Sequence, residues 1–213
     1  MPEAPRDIPA SRIAVLELKD EQQLVQEGYT LLDEKRILLA NEIQRRLAQL
    51  IALRRECAAL QRVARTRTIS AVSRHGLDEL SVYPPLSPDG DRLNVRRSRL
   101  LGLELLDVHL EFSAHPPPSR EVPVNPTPEA RGCAEAHRNW LARAVELAAC
   151  GVNLRRLVQD YIRTERRAKA IENVLMPEIA STLKLVEEQL ESIDQEEIAR
   201  LRQRRGDPAG SQR

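Results

Sequence analysis

Aromatic side chains are scarce in this chain, and their scarcity limits the folds that it can adopt. One Trp, one Phe and three Tyr occur among 213 residues. A compact globular domain of this length normally fills its core with many aromatic rings, because each ring buries a large apolar surface. Charged residues instead make up 31% of the chain, which is typical of long helices. We therefore expect a helical, rod-like protein rather than a sheet-rich domain.

The chain also lacks a strong net charge, a long apolar run and paired cysteines. Its 33 basic and 32 acidic side chains nearly cancel, so bulk charge does not favour a nucleic-acid partner. No apolar run approaches the ~18 residues that a membrane span needs, and the segment MPEAPRDIPA does not resemble a signal peptide. Three cysteines without a CxxC spacing fit a reducing compartment. We expect a cytoplasmic protein with no direct membrane insertion.

Motifs that carry chemistry are missing as well. The sequence contains no GxxxxGK[ST] phosphate loop and no GxGxxG, HExxH or GxSxG pattern. The four histidines have no mutual i,i+4 spacing, and the acidic clusters near Glu187 and Glu196 fall on one long polar helix. The sequence therefore predicts no catalytic residue, no cofactor and no metal site. Cys57 and Cys150 are expected to act as small buried hydrophobes.

Prolines divide the chain, because a proline inside a helix costs ~3 kcal/mol and is normally excluded. Three of the 14 lie in the first nine residues, nine lie between Pro84 and Pro128, and Pro208 is in the tail. Pro177 alone interrupts a helical pattern. The predicted divisions are a disordered N-terminus (1–10), an N-terminal coiled-coil arm (11–73), a middle segment (74–128), a C-terminal coiled-coil arm (129–205) and a disordered tail (206–213).

Both arms carry apolar residues at alternating steps of three and four, which predicts a coiled-coil seam. In the first arm the seam comprises Val25, Tyr29, Leu32, Leu39, Ile43, Leu50, Leu53, Cys57, Leu60 and Ala64. In the second it comprises Leu147, Cys150, Leu154, Leu157, Tyr161, Thr164, Ala168, Ile171 and Leu175, then Ile179, Leu183, Val186, Leu190 and Ile193. The seam residues from Ile179 onward are displaced by one residue from the heptad register of those before Pro177. We expect a kink or local unwinding of the helix at this proline.

The predicted fold is all-α, a long antiparallel two-helix coiled coil with a small proline-rich middle segment. A parallel homodimer is the alternative. Within the middle segment, LELLDVHLEF alternates with period two, and Gly76 is an expected helix stop. We expect a short β-hairpin formed by residues 93–97 and 103–112 around a turn at 98–102, followed by an extended connection, HPPPSREVPVNPTP.

A dense group of charges surrounds the second seam just before Pro177. We call it the charged collar; it consists of Arg163, Arg166, Arg167, Lys169, Glu172 and Pro177. At 100° per residue, Arg166 and Lys169 point away from the seam, where they are available to a partner or to water. We expect the charged collar to contact a partner.

These residues carry a resemblance to a known family, the D subunits of the V-type and A-type ATPases. The N-terminal arm is similar at Pro9, Ser11, Arg12, Leu16, Lys19, Gly28, Leu31, Leu32, Lys35, Arg36 and Leu39. The C-terminal arm resembles the family pattern T-x-R-R-x-N-A-L-E-x4-P at Thr164, Arg166, Arg167, Ala170, Glu172 and Pro177. Lys169 stands where the family usually has Asn, and Ile171 where it has Leu.

The resemblance implies a non-catalytic rotor shaft in the central stalk. In that family the coiled coil enters a ring of A and B subunits, the lower part binds the F subunit, and the base docks into the C subunit on the membrane side. ATP chemistry takes place on the ring, and the shaft couples it to ion transport. The alternative from another class is an unrelated coiled-coil adaptor or tether.

Overall fold

A computed structural model describes residues 9–81, 92–112 and 127–205. The predictions of disorder for 1–8 and 206–213, and of an extended connection over 113–126, lie outside these residues. The elements in chain order are α1 (Arg12–Ser81), β1 (Arg92–Leu100), β2 (Leu103–Glu111), α2 (Pro128–Ala170), a π-helical turn (Ile171–Leu175) and α3 (Met176–Arg205). The predicted fold class, long helices paired with one another and a small β-hairpin, is confirmed.

Each long helix begins with a hydroxyl side chain that caps its first turn. Ser11 Oγ accepts a hydrogen bond from the Ala14 amide at 3.1 Å, and Thr127 Oγ1 accepts one from the Ala130 amide at 3.4 Å. Amides in the first turn have no partner within the helix, so these caps satisfy groups that would otherwise need water. Pro128 follows Thr127 at the first helical position, where its missing N–H costs nothing.

The chain divides into two compact units, the first formed by residues 1–37 and 162–213. In this unit Arg12 pairs with Asp194 at 3.5 Å and Lys19 pairs with Glu187 at 2.9 Å. The residue number of the α3 partner falls as the residue number on α1 rises, so α1 and α3 run antiparallel. The seam side chains Ala14, Leu18, Thr164, Ala168, Ile179 and Val186 are buried.

The second unit, residues 38–161, shows the same direction between α1 and α2. Thr68 Oγ1 lies 3.5 Å from Cys133 Sγ, and Glu56 Oε2 lies 3.4 Å from Arg143 Nε. Cys150 Sγ donates to the Arg46 carbonyl at 3.8 Å. The predicted antiparallel pairing within one chain is therefore confirmed. The predicted seam residues that are buried here are Leu39, Cys57, Ala64, Cys150 and Leu157.

One residue of the predicted seam is misplaced. Ile193 is 45% exposed, so its assignment to the seam was wrong. The reason is the start of the opposing helix, since α1 begins at Arg12 and Arg12 already pairs with Asp194. Only the first turn of α1 remains to cover Ile193, and that is too little to bury it.

The predicted hairpin is present, with a tighter turn than expected. β1 and β2 pair antiparallel from Arg92 with Glu111 to Leu100 with Leu103, so the turn is only Leu101 and Gly102. Their φ angles of 51° and 85° match the two-residue turn that fits the right-handed twist of a hairpin. A leucine rarely adopts positive φ, and Leu101 is held there by packing against the core of the second unit.

That core fixes the hairpin to the helices. Leu105 of β2 packs with Leu39 of α1 and Leu157 of α2, and all three are at most 2% exposed. Leu100, Leu101 and Leu103 extend the cluster at the turn end of the hairpin. Because an isolated two-stranded hairpin is marginally stable in water, this apolar contact is what allows it to persist.

Gly76 interrupts α1 as a local break rather than as its end. Its φ and ψ of 76° and 165° are non-helical, yet helical structure resumes and continues to Ser81. His75 stands just before the break and has a buried imidazole. Its Nε2 lies 2.6 Å from Thr127 Oγ1. The residue that caps α2 is thereby tied to α1 beside the break.

Candidate functional site

The register slip expected beside Pro177 takes the form of a π-helical turn, Ile171–Leu175. The Met176 amide donates to the Ile171 carbonyl, five residues back instead of four. A π turn holds one more residue than an α turn, so it absorbs the displaced seam while Ala168 and Ile179 both stay buried. The ring of Pro177, which would clash with a carbonyl in a regular helix, directly follows the widened turn.

All six residues of the charged collar are exposed on the first unit: Arg163, Arg166, Arg167, Lys169, Glu172 and Pro177. Lys169 Nζ pairs with Glu165 Oε1 at 2.9 Å one helical turn earlier. Within residues 9–81, 92–112 and 127–205, no ion pair engages Arg163, Arg166 or Arg167. Three guanidinium groups are thus presented to solvent beside the π-helical turn.

A second feature of the first unit was not predicted from the sequence. Ile13, Leu16, Leu24 and Leu31 are exposed on α1, with Leu24 at 69% and Leu31 at 67%. At 100° per residue they fall in one sector about 80° wide, on the side of α1 away from the buried seam. We call them the outer aliphatic stripe. The sequence signal for the outer aliphatic stripe was that α1 carries more leucines than the positions of its seam can hold.

The hairpin in the second unit is locked to α2 by an asparagine that no sequence pattern singled out. Asn153 is 1% exposed; its Oδ1 accepts from the Leu106 amide at 2.8 Å and its Nδ2 donates to the Leu106 carbonyl at 2.6 Å. Arg156 donates to the Glu104 carbonyl at 2.8 Å. Both contacts fall on the edge of β2 that β1 does not pair. They protect an edge that would otherwise be open to association.

Among the described residues no third strand pairs with the free edge of β1, and the outer face of this strand is exposed. Leu93 and Val95 are exposed, and Arg97 pairs with Glu104 across the hairpin at 3.3 Å. Exposed apolar side chains beside guanidinium groups are typical of a protein-binding surface. The arginines that make this strand strongly basic are Arg92, Arg96, Arg97 and Arg99.

Neither metal nor membrane features stand out in the described part of the chain. No cluster of three or more His, Cys, Asp or Glu side chains that could hold a metal ion occurs among those residues. Cys133 and His137 are one helical turn apart, but no third ligand of those types joins them in the described ranges. None of the helices described combines the length and apolar character that crossing a bilayer requires.

The fold and its surfaces define a class: an antiparallel coiled coil that carries a docked β-hairpin and exposes charged and aliphatic faces. Comparison with known proteins identifies the family within this class. The family model for the D subunit of ATP synthase matches residues 14–205, and this chain belongs to that family.

Curated relatives agree over nearly the whole chain. The D subunit of the A-type ATP synthase of Thermococcus sibiricus is 25% identical over 193 residues, covering 90% of both chains. The corresponding V-type protein of Thermotoga neapolitana is 22% identical over 191 residues, covering 88% of this chain and 92% of the relative. That of Pyrococcus abyssi, again A-type, is 25% identical over 201 residues, covering 92% of each.

Proposed function

We propose that this chain is the non-catalytic central rotor shaft of a rotary V/A-type ATPase. It would couple ATP synthesis or hydrolysis in a ring of A and B subunits to proton or sodium-ion translocation. Its further partners would be the F subunit on the stalk and the C subunit as the membrane-side socket. The protein would then be cytoplasmic and peripheral to the membrane. Membership of the family makes an unrelated adaptor or tether the weaker candidate.

The observation that carries this proposal is the outer aliphatic stripe. The apolar seam of α1 already faces its partner helix. A second apolar sector on the opposite side therefore gains nothing from the pairing of the two helices, and an exposed apolar surface of this kind indicates contact with another protein. α3 of the same unit also exposes Leu185, on a stretch that α1 covers, whereas Ile198 and Leu201 lie beyond the start of α1 and are exposed for the same reason as Ile193. Aliphatic side chains exposed on both helices favour a partner that encloses the pair, as a ring does, over one that binds a single side.

The charged collar supports the same role. A rotor must be held by different neighbours at successive angles, which requires outward groups that form and release contacts readily. Exposed guanidinium groups pair with carboxylates while remaining hydrated, so each such contact is weak and reversible. A shaft that presents different faces to equivalent ring sites would bias each site toward a different conformation.

Substitutions in the outer aliphatic stripe test the proposal. Replacing Leu24 and Leu31 with Gln should change the unfolding free energy of the isolated chain by no more than ~0.5 kcal/mol, because both are exposed. In the reconstituted complex the same variant should lose ATP-driven ion transport. Val186→Ala in the buried seam is the matched control and should destabilise the isolated chain. Full ion transport by the Leu24 and Leu31 variant would contradict an enclosing ring.

The charged collar is tested by replacing Arg166 and Lys169 with Ala. The isolated chain should keep its stability within ~0.5 kcal/mol, as for ordinary surface sites, while coupled turnover of the complex falls. A loss of stability comparable to that of Val186→Ala would show that the two side chains do not act outward. Unchanged ATP turnover of the complex would show that the charged collar is only a solvated surface without a coupling role.

The basic outer face of the hairpin is the proposed docking surface for the F subunit. Replacing Leu93 and Val95 with Ser should leave the buried cluster around Leu105 intact and weaken binding of that partner. Unaltered binding by this variant would contradict the assignment.

A further inference from the structure

A groove of about 440 Å³ lies between α1 and α2 in the second unit, and no part of the proposed rotor role uses it. Residues of α1 between Gln61 and Ile69 form one wall, and His137 and Trp140 of α2 form the other. The buried Ala64 also lines the groove.

The aromatic wall is preorganised. His137 and Trp140 meet edge to face, with ring centroids 6.1 Å apart and planes at 88°. His137 Nδ1 lies 3.1 Å from the Cys133 carbonyl, which can only accept, so Nδ1 carries the proton and fixes the orientation of the ring. Trp140 is the only tryptophan in the chain and is half-buried rather than enclosed in the core. Tryptophan in such a position is enriched at binding hot spots.

The opposite wall, on α1, carries positive charges that no carboxylate in the described part of the chain neutralises. Arg62 and Arg65 are exposed, and no ion pair engages either one within the described residues. No Asp or Glu is among the described residues that line the groove. Elsewhere in the same unit arginines do find carboxylates, since Arg46 pairs with Glu42 at 2.8 Å. The two groove arginines are thus left for an external anion.

We propose that this groove binds an acidic segment of a partner protein. One aliphatic or aromatic side chain of the segment packs against Trp140 and Ile69, and its carboxylates pair with Arg62 and Arg65. A phosphate or nucleotide fits less well, because the groove is lined by residues inside two helices, whose amides are already hydrogen-bonded within each helix. The described residues that line it include neither the N-terminus of a helix nor a glycine that could hold phosphate oxygens.

Trp140 provides the probe, since the tryptophan fluorescence of the full-length chain reports this groove alone. The chain is titrated with a short terminally blocked peptide of Glu and Leu, and separately with the same peptide carrying Lys in place of every Glu. The acidic peptide should change the emission saturably, and the basic peptide should not. Replacing Arg62 and Arg65 with Glu should weaken binding of the acidic peptide by at least about tenfold, as expected for reversal of close charge pairs.

Arg54→Glu with Arg55→Glu is the matched control, because both arginines are exposed on α1 outside the groove. This variant should bind the acidic peptide as the parent does. The proposal is overturned if the acidic peptide leaves Trp140 unchanged or if both charge-reversed variants bind it equally. Tighter binding of inorganic phosphate or ATP than of the peptide would overturn it too. None of these measurements depends on the ATPase complex.

Discussion

The side chain of Asn153 forms both of its hydrogen bonds with the backbone of one residue, Leu106. The 2.8 Å bond from the Leu106 amide and the 2.6 Å bond to its carbonyl reproduce what a neighbouring strand would supply. An amide side chain, with one donor group and one acceptor, is suited to this task, whereas a leucine of the same size is not. This contact, reinforced by Arg156, gives the hairpin a fixed position against α2.

Replacing Asn153 with Leu should destabilise the second unit. The Leu106 amide and carbonyl would be left without partners, and each unsatisfied buried group costs ~1 to 3 kcal/mol. Urea unfolding gives the free energy, and hydrogen exchange at the Leu106 amide should accelerate. Gln159→Leu on the exposed face of α2 is the control and should change little. Normal protection of the Leu106 amide in the Asn153 variant would refute the role assigned to the asparagine.

His109 should titrate above its ordinary pKa of 6.5. Its Nδ1 lies 3.2 Å from Glu146 Oε1 and its Nε2 lies 3.3 Å from Asp107 Oδ1, so both nitrogens need a proton. The hydrogen bond to Glu146 is the largest cause of the raised pKa, and the charge of Asp107 adds to it.

The resulting stabilisation should be fully present below the unfolded pKa of His109 and should disappear as the pH rises through the folded one. An NMR titration of the imidazole measures the shift. Glu146→Gln should lower the pKa of His109, and Asp107→Asn should lower it less. A pKa at or below the ordinary value in the parent protein would rule out the paired geometry.

Cys133 should react with thiol reagents faster than Cys57 and Cys150. The latter two are buried in the seam, and burial also raises the pKa of the Cys150 thiol, which depletes the reactive thiolate. Mass spectrometry after brief alkylation in native buffer separates the three sites. Cys133→Ser should remove the fast phase, and denaturant should equalise the remaining two. Equally rapid labelling of all three in the native protein would mean that the helices do not pair as described.

The π-helical turn and Pro177 should depend on each other. Deleting the exposed Asn173 removes the extra residue of the turn and places Pro177 inside a regular α-helix, at a cost of ~3 kcal/mol. Adding Pro177→Ala to the deletion should restore most of the stability, because the seam then continues without interruption. Thermal unfolding of the parent, both single variants and the combined variant measures the coupling. Equal losses with and without Pro177→Ala would show that the turn does not accommodate the proline.

The sequence by itself determined the helices, most of the seam and the existence of the hairpin. Heptad spacing fixes which side of a helix a residue occupies, and that direction follows from the backbone alone, so Leu39, Cys57 and Leu157 could be placed in the seam in advance. Two independent signals, the proline and the register slip, also located the break at Pro177, although its π-helical form was not specified.

Tertiary structure decided the contacts between segments far apart in the chain. That Asn153 would meet Leu106, or that Arg62 would share a groove with Trp140, depends on how α1, α2 and the hairpin are aligned against one another. The misassigned Ile193 has the same origin, because its exposure depends on where the opposing helix begins. Periodicity directs each side chain relative to its own backbone, whereas alignment between segments is set by the burial and hydrogen bonding of both partners together.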